Sequence, residues 1–132
     1  MDLDITKFFQ TAAPSDYSAS VAEIGARAGL DTWNAACDDA PDYPLLDTDD
    51  KRDAFRDYVR MFGAWSPKEI KAWTDAELTA LLMQFIAGDI REAGLTPQST
   101  PEDWARYEKD AESGRVSGRL YYSNGSVYYS LG

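Results

Sequence analysis

Apolar residues recur at three- and four-residue intervals from Leu78 through Leu81, Leu82, Phe85 and Ile86 to Ile90, a spacing that gathers side chains onto one face of an α-helix. The spacing predicts a central helix over 75–93. Thr74-Asp75-Ala76-Glu77 reads as a capping box at its start, in which the Thr oxygen accepts a backbone N–H and the Glu reaches back, and Gly94 stands where a helix closes. Ser66-Pro67-Lys68-Glu69 repeats the start signal eight residues earlier and predicts a short helix carrying Ile70 and Trp73 inward. Phe55, Tyr58, Val59 and Phe62 form another helical stripe, from near Thr48 to Gly63, with mixed charges on its outer side.

Weaker patterns flank these. Val21, Ile24 and Ala28 suggest a helix from about Pro14–Ser18 to Gly29, and Asp31 caps a short one through Trp33 and Cys37. Leu3, Ile5, Phe8 and Phe9 read as another short helix, and Thr100-Pro101 opens a last one that carries Trp104 and Tyr107 and stops at Gly114. Beyond it the period changes. Val116 to Leu131 is rich in tyrosine and centred on Asn124-Gly125, a pair that favours the type I′ turn of a two-residue hairpin. That turn sets Ser123 opposite Ser126, Tyr122 opposite Val127, Tyr121 opposite Tyr128 and Leu120 opposite Tyr129. Leu120, Tyr122, Val127, Tyr129 and Leu131 then share the face toward the helices, while Arg119, Tyr121, Ser123, Ser126, Tyr128 and Ser130 share the other. A lone hairpin is marginal in water, so it must lie on the helices or gain a strand from another copy.

The expected fold class is therefore α+β with helix dominant: a bundle of four to six helices and a C-terminal antiparallel β-hairpin. One domain over 1–132 is expected, helical over 1–114 with the hairpin over 115–132.

Composition narrows the function. Thirteen basic against twenty-three acidic residues leave a net charge of −10, which argues against direct nucleic-acid or membrane binding and favours a basic protein surface as partner. With no histidine and one cysteine, Ser-His-Asp triads, Cys-His pairs and the common zinc sets are excluded within one chain, and an intramolecular disulfide is impossible. No stretch reads as a membrane span, Met1-Asp2-Leu3-Asp4 does not read as a signal-peptide start, and a bacterial cytoplasm is the expected setting. Cys37, followed by two aspartates, reads as an unreactive packing residue.

The negative charge is unevenly spread. From Ala28 to Asp50 there are seven aspartates and no lysine or arginine, which suggests an acidic surface aimed at a basic, nucleic-acid-binding protein; Asp38, Asp39, Asp42, Asp47, Asp49 and Asp50 are its candidate contacts. A plainer account is that Asp is favoured at caps and turns, and sixteen of the twenty-three acids are Asp. A calcium loop starting at Asp47 fails, because Lys51, Arg52 and Tyr58 occupy positions needing an oxygen ligand, glycine and glutamate. No Gly-rich phosphate loop exists, so no metal or cofactor is expected.

Tyr121 and Tyr128 are the second candidate contact, an aromatic pair among serines suited to an adaptable binding surface or a homodimer, and explicable also as cross-strand stabilisation. Asp89, at the edge of the best apolar stripe, would be held protonated by burial unless a basic side chain or cap satisfies it; the latter is expected. The reading is a non-enzymatic partner-binding module. Its alternatives are a structural homo-oligomer joined through the hairpin, and a ligand-binding protein or carboxylate enzyme with a cleft between central helix and hairpin.

Overall fold

A computed structural model describes residues 1–11 and 43–132; the helices expected over 14–29 and 31–37, and with them Cys37, lie outside the described residues. The fold is α+β and helix-dominant. In chain order it comprises β1 (Asp2–Asp4), α1 (Thr6–Thr11), α2 (Asp49–Arg60), α3 (Pro67–Ala72), α4 (Asp75–Ala93), α5 (Pro101–Glu112), β2 (Leu120–Ser123) and β3 (Ser126–Ser130).

Helix α4 runs over the span its period predicts and ends at Gly94, whose φ of 69° is the left-handed closure that a Cβ would oppose. Its burial exceeds one stripe. Ala80 through Ala87 are all buried, so the helix is enclosed on every side, the behaviour of a core helix rather than a surface one. The caps differ in detail from the expectation. Thr74 accepts the Glu77 N–H at 3.2 Å, but its hydroxyl, not its backbone N–H, meets the Glu77 carboxylate at 3.1 Å. Ser66 and Glu69 repeat that arrangement. The reciprocal box is found instead at α5, where Asp103 accepts the Thr100 N–H at 2.9 Å and Thr100 accepts the Asp103 N–H. Trp65 and Trp73 meet edge to face at 5.1 Å and wedge α3 at the corner before α4. Phe62, expected in the core, is exposed past the end of α2 yet stacks on Phe85.

The N-terminal residues correct the expectation of a single helix. Asp2–Asp4 is a strand, and it pairs antiparallel with β3, giving the order β1-β3-β2. The alternation of Asp2, Leu3, Asp4 and Ile5 is the period of a half-buried strand, with Leu3 and Ile5 buried. The hairpin register is the expected one, with Tyr121 opposite Tyr128 and Leu120 opposite Tyr129. Asn124 and Gly125 adopt φ of 52° and 83°, the two positive values of a type I′ turn. The hairpin's third strand thus comes from the same chain. Thr6 adds to the closure, donating to Asp4 at 2.6 Å and accepting the Val127 N–H at 3.0 Å.

One hydrophobic cluster takes residues from every described element, with Tyr129, Phe8 and Phe55 its largest fully enclosed side chains. Among the described residues, no helix is long and apolar enough to cross a membrane.

Candidate partner-binding face

A period of two divides the sheet. Leu3, Leu120, Val127, Tyr129 and Leu131 are buried against the helices. The alternate positions, Asp2 and Asp4 of β1 with Tyr121, Ser123, Ser126, Tyr128 and Ser130 of the hairpin, make the outer face, where Asp2, Asp4 and Tyr121 are exposed and the others half-buried. Arg119, expected on this face, leaves it: its guanidinium sits 4.3 Å from the centroid of the Tyr58 ring, a cation–π contact. The strands themselves thus place two carboxylates and no basic side chain on this face, while Lys7 and Lys51 line a hollow beside Asp4 and Ser126.

Its central feature is the Tyr121–Tyr128 pair, stacked at 5.2 Å with ring planes 20° apart. The Tyr121 hydroxyl donates to Asp2 at 2.6 Å, and this bond to a carboxylate pushes the phenol up to about 12. Asp4 accepts from both the hydroxyl and the N–H of Thr6, which holds its carboxyl below the usual range. At neutral pH the face thus presents an anionic Asp4 beside a protonated Tyr121. Asp2 and Asp4 escape a reading by apolar spacing, which through Phe8 and Phe9 favours a helix, although the alternation Asp-Leu-Asp-Ile is itself a strand signal.

The structure distributes the other candidates less simply. Asp38, Asp39 and Asp42 lie outside the described residues. Asp47 bonds Lys51 at 2.7 Å, which lowers its pKa, and Asp49 bonds Arg52 at 2.6 Å. Asp50 is exposed in the first turn of α2, where a carboxylate faces the positive end of the helix dipole. Asp47 and Asp49 are thus met by bases one turn downstream, not left as an unopposed field. The far end of the run does approach the sheet: Tyr43, Pro44, Leu45 and Lys51 share a hollow with Asp4 and Ser126. The Tyr43 hydroxyl accepts the Phe8 N–H, and Lys7 lies 5.1 Å from its ring centroid. Among the described residues, no group of three or more acids or cysteines is placed to hold a metal.

Asp89 behaves otherwise than expected. Its partner is neither a base nor a cap but the Tyr129 hydroxyl, at 2.5 Å, with the Tyr58 hydroxyl 3.4 Å from Tyr129 in turn. Burial raises the Asp89 pKa, opposed by hydrogen bonds from Tyr129 and Ser117 and by the charge of Arg119. Burial raises the Tyr129 phenol further still, with the Asp89 charge adding to it. This group lies between central helix and hairpin and ties β3 to α4. No protein-family model matches the chain, and neither a characterised protein nor a solved structure resembles it.

Proposed function

We propose that the protein is a non-enzymatic binding module that engages a basic surface of another protein through the outer face of its sheet. The observation that carries this reading is the stacked Tyr121–Tyr128 pair, set among serines on a face to which the strands contribute the carboxylates Asp2 and Asp4, with Lys7 and Lys51 only at the Asp4 end. Tyrosines supply contact area at small entropic cost and serines supply adaptable hydrogen bonds. The carboxylates supply the sign of the partner, and the net charge of −10 adds long-range attraction.

The test is affinity purification with the wild-type chain, Asp2→Asn/Tyr121→Ser/Tyr128→Ser, and Asp38→Asn/Asp39→Asn/Asp42→Asn/Asp50→Asn, followed by reconstitution with the purified partner. The sheet variant should lose a partner whose contact surface is basic, and wild-type affinity should fall as salt rises. Loss only in the second variant would move the interface to the aspartate run. Unchanged partners in both, or a wild-type dimer in place of a heterologous complex, would overturn the reading.

A further inference from the structure

A second concave site lies along α5, next to the hollow beside Asp4. Helix α5 presents Pro101, Trp104, Ala105 and Glu108, spaced as one helical face, to a cleft of about 450 Å³. Phe9 of α1, Tyr122 and Val127 of the hairpin, and Pro97 of the loop before α5 also line it. That volume is in the range of small-molecule sites.

The walls are preformed. Trp104 is held by Phe9 at 6.2 Å and by Tyr107 at 5.9 Å, edge to face, and Tyr122 lies 5.7 Å from it. The loop before α5 is fixed by the Thr96 N–H on the Ser99 hydroxyl at 2.8 Å and the Gln98 N–H on the Thr96 hydroxyl at 3.2 Å. Tyr122 belongs by alternation to the buried face of the hairpin yet is 56% exposed, because at the turn end the sheet overhangs this cleft instead of the core.

The chemistry of the lining selects a charge sign. Glu108 is the only charged side chain among the described residues that line it, and it stands one helical turn from Trp104 on the same face. Aromatic faces attract cations through the ring quadrupole, and the carboxylate and the protein's overall negative potential act in the same direction. We infer that this cleft binds a small organic cation, an alkylated ammonium with an apolar body, its charge against the Trp104–Tyr122 aromatic surface beside Glu108 and its body against Phe9, Pro97 and Val127. The cleft shares Thr6 and Gln10 with the hollow beside Asp4, but its aromatic residues and Glu108 are distinct from Asp2, Tyr121 and Tyr128.

The inference is tested by NMR titration of the full chain with choline, with benzyltrimethylammonium, and with 3,3-dimethylbutan-1-ol, which has the shape of choline without its charge. Both cations should give saturable shifts at the Trp104 indole N–H and the Tyr122 ring, not at Tyr121 or Tyr128. Choline should bind about tenfold more tightly than the neutral alcohol. Glu108→Gln should weaken the cations severalfold and leave the alcohol unchanged, and Tyr122→Ala should weaken the cations. Both positions are exposed, so retention of the remaining amide spectrum shows that the fold survives. Absence of saturable shifts up to roughly 10 mM, equal affinity for the alcohol, or indifference to Glu108→Gln would each overturn the inference.

Discussion

A carboxylate brought into contact with a core must find a donor, and Asp89 finds the Tyr129 hydroxyl. Because burial raises its pKa, the folded state holds the Asp89 proton more tightly than the unfolded chain does. Its contribution to stability is therefore most favourable below the unfolded carboxyl value, about 3.9, and is lost as pH rises through the elevated folded value. Asp89→Asn keeps an acceptor for Tyr129 but does not titrate. Its stability relative to wild type should rise as pH increases from about 4 toward neutrality, a trend that urea denaturation at several pH values would measure. Tyr129→Phe removes the donor and leaves the buried carboxylate under-satisfied, so it should cost about 1–3 kcal/mol at neutral pH. The position of Asp89 beside an apolar stripe is legible in the sequence. Its partner is not, since forty residues separate Asp89 from Tyr129 and only the docking of β3 on α4 brings them together.

At the scale of elements, local chemistry is the reliable guide. The period of Leu78 to Ile90 and the residues at Thr74 and Gly94 mark α4, and Asn124-Gly125 sets the hairpin register, because caps and two-residue turns depend on backbone conformations that few residues accept. Gly125 has a φ of 83°, so Gly125→Ala should destabilise the protein by roughly 1–2 kcal/mol in chemical denaturation, the steric cost of a left-handed residue with a Cβ. The N-terminal strand eludes the sequence for a related reason. Three residues are too few for period alone to separate strand from helix, and β1 exists because β3, at the other end of the chain, offers it an edge. Arg119 shows the same limit: alternation assigns it to the outer face, but it lies before β2 begins, after Gly118 with φ of 70°, and turns onto Tyr58.

For the whole molecule, β1 decides how the sheet ends. It occupies the free edge of β3, and an unpaired edge is a template for another chain. Deleting residues 1–4 should remove the burial of Leu3, worth about 1.5–3 kcal/mol, and expose that edge. The shortened protein should melt earlier and self-associate with rising concentration in analytical ultracentrifugation, whereas monomeric behaviour would show that the edge is protected by other means. Charge also resolves only at this scale. A run of aspartates looks one-sided along the chain, but Lys51 and Arg52 fold back on Asp47 and Asp49, while Asp2 and Asp4 come to flank the Tyr121–Tyr128 stack. By itself, the sequence determined the helix-dominant class, the limits of α4, the hairpin register and the exclusion of histidine-based sites and an intramolecular disulfide within this chain, since these follow from periodicity, local backbone preference and residue inventory. Tertiary structure alone decided the third strand, the Asp89–Tyr129–Tyr58 group, the acids of the outer face and the cleft beside Trp104. Each joins residues distant in the chain, and such pairings persist only where burial of a shared apolar core offsets the entropy lost in closing the long loops between them.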